Sequence, residues 1–122
     1  MPTRRFVLAL ALAAVVAATL VATPGSAEPL KRVQAKRVCM VNNSVQDKDQ
    51  IAVPVDGKTY FGCCEMCKGR LGEDASIRQA TDPVSGKSVD KAKAVIGAKP
   101  DGKVLYFESE KTFSEYQKQK HS

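Results

Sequence analysis

Residues 56–67 read Asp56-Gly57-Lys58-Thr59-Tyr60-Phe61-Gly62-Cys63-Cys64-Glu65-Met66-Cys67 and hold three of the four cysteines of this 122-residue chain. An Asp-Gly pair between runs of β-branched and aromatic residues predicts a β-hairpin, whose first strand would be Ile51–Val55. The stretch that follows, Glu65–Leu71, favours a helix. These residues therefore predict a unit made of one hairpin and one helix.

The cysteines are the residues that point to chemistry. Cys63 and Cys67 stand at positions i and i+4, so that their sulfurs would lie on one face of a helical turn or of a turn that enters a helix. Cys39, from a distant segment, would supply a third sulfur. Sulfur ligands in such a group select Cu(I), Zn(II) or a similar thiophilic ion, and a metal site is therefore the first interpretation.

Two other uses of the cysteines stay open. Structural disulfides would suit a small exported protein, but a bridge between the neighbours Cys63 and Cys64 would be strained, and a bridge within one turn closes almost no loop. The spacing Cys64-x-x-Cys67 is also that of dithiol redox proteins. Catalysis of other kinds has little support, because the only histidine, His121, lies next to the carboxyl end. We do not expect an enzyme.

Residues 1–27 have the pattern of an export signal. Arg4 and Arg5 precede the apolar run Phe6–Val21, and small residues lead to an expected cleavage before Glu28. An uncleaved anchor is the alternative. We expect a periplasmic or secreted protein without stable membrane insertion after cleavage, with residues 28–37 as its mature amino-terminal segment. The net charge of the full chain is +6, its charges are mixed along the sequence, and neither this pattern nor export favours nucleic-acid binding.

The second half of the chain repeats the pattern of the first. Asp101-Gly102-Lys103-Val104-Leu105-Tyr106 matches residues 56–61 as Asp-Gly-Lys-x-apolar-aromatic, and a helix is again predicted after it, over Glu110–Lys118. Phe113 and Tyr116, at i and i+3, would form the buried face of that helix. An alignment without gaps places Glu108 opposite Cys63, Ser109 opposite Cys64 and Thr112 opposite Cys67.

A known family shares these motifs. Cys39, the Asp-Gly-Lys turn, Tyr60-Phe61 and the cluster at residues 63–67 resemble a TRASH-type domain, a family named for trafficking, resistance and sensing of heavy metals. Asp82-Pro83-Val84-Ser85-Gly86-Lys87 and Tyr106-Phe107-Glu108-Ser109-Glu110 are similar to the related YHS domain. The cysteines of that pattern are replaced here by Ser85, Glu108 and Thr112. Metal binding therefore does not carry over to the second half, and the resemblance covers roughly residues 38–116.

The resemblance implies a fold and a set of ligands. The fold would be α+β, with two tandem hairpin-plus-helix units that resemble treble-clef fingers. These are a TRASH-like metal-binding unit at 38–80 (the first unit) and a degenerate YHS-like unit without cysteines at 81–122 (the second unit). Cys39, Cys63 and Cys67 match the ligand positions of the family, and Cys64 or Met66 could supply a fourth ligand. Met40, also beside a cysteine, is expected to fill the core.

The expected function follows from the ligands. The protein would bind, buffer or deliver Cu(I), zinc or another thiophilic metal, with a periplasmic metalloprotein or a transporter as its partner. A structural or interaction module stabilised by zinc or disulfides is the second hypothesis, and a periplasmic dithiol redox protein is the third.

Overall fold

The computed structural model describes residues 29–120. Within this range the chain forms two α-helices and nine short strands, all paired antiparallel, so that the predicted α+β class is confirmed. In chain order the elements are β1 (Lys31–Arg32), β2 (Val38–Cys39), β3 (Ser44–Val45), β4 (Ile51–Val55), β5 (Lys58–Gly62), α1 (Glu65–Glu73), β6 (Gln79–Thr81), β7 (Ser88–Asp90), β8 (Val95–Ala98), β9 (Val104–Phe107) and α2 (Glu110–Lys120).

The first hairpin is formed by β4 and β5, as predicted. Asp56 and Gly57 form its two-residue turn with φ angles of 50° and 76°. Such left-handed values are typical of the turn type whose twist matches that of the flanking strands. Val53 faces Tyr60 across the hairpin, and both are buried. The helix α1 follows directly and buries Leu71 against the pair.

The second hairpin, β8 and β9, differs from the first in its turn. Ala98 pairs with Val104, so the connection spans residues 99–103 instead of two residues. Gly102 has a φ of 87° there. Phe113 and Tyr116 pack edge to face on Phe107, with ring centroids 5.4 and 5.5 Å apart, but both are half-buried and not buried as predicted.

The start of the described chain, residues 31–32, belongs to the sheet of the second hairpin. Strand β1 pairs with β8 and completes a three-stranded sheet in the order β1-β8-β9. The Gln117 side chain in α2 bonds both the N–H and the carbonyl of Leu30, each at 2.9 Å. Sequence reasoning gave residues 28–37 no structural role, because this pairing joins positions far apart in the chain.

The two predicted units share one hydrophobic core. Asn43 O accepts a 2.9 Å hydrogen bond from Val104 N, and Gly102 O accepts one of 2.8 Å from Val45 N, so β3 lies against the second hairpin. Neither hairpin therefore buries its apolar face alone. The core cluster comprises Val38, Met40, Val53, Tyr60, Leu71, Ile96, Ala98, Val104 and Tyr106.

Descent of the two units from a duplication stays a hypothesis. Each has a hairpin followed by a helix, but the hairpin turns differ.

Neither helix among residues 29–120 combines the length and the apolar character that crossing a membrane requires. The predicted export signal, its anchor alternative and His121 lie outside the described residues.

Candidate metal centre

Three cysteines from three segments meet at one end of the first hairpin. Cys39 ends β2, Cys63 follows β5, and Cys67 lies in the first turn of α1. The Cys67 sulfur is 3.5 Å from that of Cys63 and 4.0 Å from that of Cys39. All three sulfurs lie within 4.8 Å of one another, so they form a group that could hold a metal ion.

The sulfur distances suit a thiolate-bound ion. A Zn–S bond of about 2.3 Å in tetrahedral geometry separates two sulfurs by about 3.8 Å. The observed 3.5 and 4.0 Å lie on either side of that value. All four cysteines are free thiols. Small rotations of the side chains would therefore bring the three sulfurs to bonding distance of one ion.

The backbone around Gly62 brings the helix close to the hairpin. A Cβ atom at Gly62 would meet Cys67 Cβ at 3.0 Å and the Cys67 carbonyl carbon at 3.3 Å. Only glycine allows this approach without a shift of α1. On the other side of β5, Met40 N donates a 2.9 Å hydrogen bond to Phe61 O, which holds the β2 segment in place. The sulfur group therefore depends on two backbone contacts of one strand.

Cys64 and Met66, the further ligands considered from the sequence, are both exposed. Cys64 is exposed at the amino-terminal end of α1, and its sulfur is not among the three that converge. The Met66 side chain is 76% exposed. Met40, by contrast, is fully buried within the core. The group thus has a buried side, formed by Cys39 and Cys67, and an open side at Cys63.

The surroundings of Cys39 favour its thiolate. Burial by itself would raise the pKa of this thiol, but the backbone N–H groups of Asn42, Val41 and Cys63 point at the sulfur and outweigh burial, so the pKa is lowered. Cys39 is completely buried. A buried thiolate that backbone N–H groups stabilise is suited to ligate a cation.

The other two sulfurs of the group resist ionisation in the absence of a cation. Burial, and then the neighbouring thiols Cys64 and Cys63, raise the pKa of Cys67. The contact with Cys67 acts to lower the pKa of Cys63, but Cys39 and burial together outweigh it, so this pKa is also raised. Asn42 Nδ2 lies 3.8 Å from the Cys63 sulfur and can donate to it. Binding of a cation by Cys63 and Cys67 would therefore have to displace their protons, whereas Cys39 ionises more readily.

Sequence reasoning missed a polar network that supports Cys39. Asn43 N donates a 2.7 Å hydrogen bond to Cys39 O, and Asn43 has a left-handed φ of 54°. The Asn43 side-chain oxygen accepts from Lys91 Nζ at 2.9 Å and from Tyr106 OH at 2.9 Å. Lys91 is only 4% exposed. Nothing in the sequence around Lys91 distinguishes it from the exposed Lys93, so burial was the missing information.

The positions aligned with cysteines in the second unit carry a different arrangement. The buried Asp82 carboxylate accepts hydrogen bonds from Thr112 Oγ1 at 2.7 Å and from the N–H groups of Val84, Ser85 and Glu108 at 2.7, 3.1 and 2.8 Å. A carboxylate that receives four donors already has its partners. The sequence motif Asp-Pro-Val-Ser-Gly gave this aspartate no separate signal.

Comparison with known proteins finds no family model, no curated protein and no solved structure that matches this chain. The resemblance to TRASH-type and YHS domains stays a hypothesis based on short motifs. The structure defines a small α+β protein with a three-sulfur group at the junction of a hairpin and a helix.

Proposed function

We propose that this protein binds a thiophilic metal ion through Cys39, Cys63 and Cys67 and buffers or delivers it outside the cytoplasm. The convergence of three sulfurs from three segments supports the proposal most directly. The lowered pKa of Cys39 adds to it, because a thiolate is the form that binds metal. The export pattern of residues 1–27 is the basis for the location.

Cu(I) is the ion that this ligand set favours. Cu(I) is stable with two or three soft ligands, whereas structural zinc sites are closed by four protein ligands. Among the described residues, the sulfurs of Cys39, Cys63 and Cys67 lie within 4.8 Å of one another, whereas Cys64, which also neighbours Cys67, is exposed. Zn(II) with a fourth ligand from solvent or from Cys64 is the alternative.

The open side of the group supports delivery in preference to permanent storage. Cys63 is half-buried, and its chain neighbour Cys64 is exposed. A second soft-ligand protein could therefore reach the ion from this side, while Cys39 and Cys67 hold it from the core. The expected partner is a metalloprotein or a transporter of the same compartment.

Metal binding by the reduced protein tests the proposal. Cu(I) and Zn(II) would be titrated against competing chelators with the wild type and the four Cys→Ser variants. Loss of Cys39 or Cys67 should weaken Cu(I) binding on the order of 100-fold, because each removes one of three ligands. Cys64→Ser, the matched control, should change it by less than about threefold. An equal loss for Cys64→Ser would indicate a four-thiolate site and favour structural zinc.

A dithiol redox function is the second candidate, and one observation favours it. The pKa of the exposed Cys64 is lowered, mainly because the backbone N–H of Cys67 in the first turn of α1 stabilises the thiolate. In Cys64-x-x-Cys67 an exposed nucleophile thus precedes a buried thiol. The two thiols would lose two electrons and two protons to reduce a substrate disulfide. Native mass spectrometry tests the chemistry: a two-proton mass loss without metal shows a disulfide, which a redox function requires, and stoichiometric metal supports binding.

A further inference from the structure

Lys91 is a buried cation whose partners are neutral. Its ammonium donates to Met40 O at 2.8 Å and to Asn43 Oδ1 at 2.9 Å, and it lies over the ring of Tyr106, 5.2 Å from the centroid. No carboxylate within residues 29–120 forms an ion pair with it. Burial of a charge without an opposite charge is costly, so a nearby anion would stabilise this ammonium considerably.

The group that can supply a negative charge here is the thiol of Cys39, the residue directly before Met40. The Lys91 ammonium donates to the carbonyl of Met40, which follows Cys39 in the chain. Asn43 links the two residues, because its side chain accepts from Lys91 and its N–H donates to the Cys39 carbonyl. Burial lowers the pKa of Lys91 to about 8, and the negative charge of Cys39 acts in the opposite direction. The ammonium is therefore still the main form at neutral pH, and it senses the charge of the sulfur group.

The charge of that group depends on the ion it holds. Three thiolates with Cu(I) carry two net negative charges, whereas the same thiolates with Zn(II) carry one. A fixed cation nearby stabilises the first complex about twice as strongly as the second, because Coulomb energy is proportional to the product of the charges. Low local dielectric strengthens this difference.

From this geometry we propose that Lys91 is the counter-charge of the metal–thiolate group and shifts its selectivity from Zn(II) towards Cu(I). The inference rests on the proposed metal site at Cys39, Cys63 and Cys67. Asn43 is the positioning residue, since its left-handed backbone closes the turn after Cys39 while its side chain orients the ammonium. The second unit thereby supplies a charge to a site whose ligands all belong to the first.

Competition titrations at pH 7 with Lys91→Met, Lys91→Arg and the control Lys58→Met test this role. Lys91→Met should weaken Cu(I) binding about 100-fold and Zn(II) binding about tenfold, so that the Cu(I)/Zn(II) affinity ratio falls about tenfold. Lys91→Arg should restore most of the ratio. Lys58 lies on the first hairpin, is part-exposed and pairs with Asp90 of β7, and its replacement should leave the ratio within about twofold.

Equal losses for the two ions in Lys91→Met, without rescue by arginine, would assign Lys91 a merely structural role and overturn the inference. If Lys91→Met does not fold, NMR of the wild-type Lys91 ammonium decides instead: its signal should move more on loading with Cu(I) than with Zn(II), and an unchanged signal would refute the proposal. A wild type that binds neither ion would reject the proposed function itself, and the inference with it.

Discussion

Thr112 Oγ1 donates a 2.7 Å hydrogen bond to Asp82 Oδ2, and both side chains are buried. The same carboxylate oxygen accepts from Glu108 N at 2.8 Å. In the alignment of the two units, Thr112 corresponds to Cys67 and Glu108 to Cys63. Asp82 thus ties the end of a hairpin to the start of a helix, at the place where a metal ion would join the sulfurs in the first unit. This contact explains how the second unit holds that junction together without cysteines.

Asp82→Asn should lower the free energy of unfolding of the reduced, metal-free protein by about 2–4 kcal/mol. An amide can accept fewer of the four hydrogen bonds than the carboxylate, and it places an N–H₂ group where donors already point. Urea unfolding at pH 7 measures the change. Asp101→Asn is the matched control: this exposed aspartate accepts from Lys103 N in a surface turn, and its replacement should cost less than about 1 kcal/mol.

The stability that Asp82 provides should depend on pH, and the same variant tests this. Burial acts to raise the pKa of Asp82, but its donors, first the N–H of Glu108 and then Thr112, outweigh it, and the pKa is lowered. The stabilising effect is therefore complete above the ordinary aspartate pKa of about 3.9, and it is lost as the pH falls through the lower value of the folded protein. Wild type should lose stability in that acid range, and Asp82→Asn should lose less. Parallel pH profiles would contradict this account.

The sequence predicted the local features of the fold because they depend on neighbouring residues. Asp56-Gly57 between strand-forming runs specifies a tight turn, and the i, i+4 spacing of Cys63 and Cys67 brings two sulfurs together in any helical entry. The third sulfur belongs to Cys39 in a distant segment. The sequence could suggest Cys39 as a further ligand, but not where the fold would place it. The structure brings it to 4.0 Å from Cys67.

What the sequence could not predict are contacts between positions far apart. Arg32 pairs with Gly97, and the Gln117 side chain bonds the nearby Leu30 backbone. Burial of Lys91 depends on the turn at Asn43, which no local pattern signals. Such contacts are decided by packing and not by propensity.

The shared core predicts that both units unfold together. Leu71 is fully buried in α1 and belongs to the same cluster as Ile96 of β8. Leu71→Ala should lower the free energy of unfolding by about 2–5 kcal/mol, because it removes buried apolar contacts and leaves a cavity in the core. Hydrogen exchange should then show equal losses of protection in β4 and in β8.

Leu105→Ala is the control for this experiment. Leu105 is only half-buried in β9 and lies outside the core cluster, so its replacement should cost clearly less than that of Leu71. Loss of protection confined to β4, β5 and α1 in Leu71→Ala would show two independently folding units and contradict a common core.

The close approach at Gly62 predicts opposite effects for two glycines of the first unit. In Gly62→Ala the new methyl group would meet Cys67 Cβ at 3.0 Å and the Lys68 nitrogen at 3.3 Å, so α1 must move away from the hairpin. We expect a loss of about 1–3 kcal/mol in stability. A methyl group added at Gly69, within α1, would instead point into open space, with no atom of another described segment within 4 Å. Gly69→Ala should therefore stabilise the protein by about 0.5–1 kcal/mol, through its higher helix propensity.

Metal affinity distinguishes the local effect of Gly62 from general destabilisation. Because the shift in Gly62→Ala acts directly on Cys67, the competition titration should show Cu(I) binding weakened by about tenfold or more, even under conditions where the variant is fully folded. Gly69→Ala should bind Cu(I) as tightly as the wild type, since residue 69 faces away from the sulfurs and is exposed. If Gly62→Ala lost stability but kept its Cu(I) affinity, the distance between the hairpin and α1 would not control the geometry of the sulfur group, and Cys67 would not be held by the contact that we assign to it.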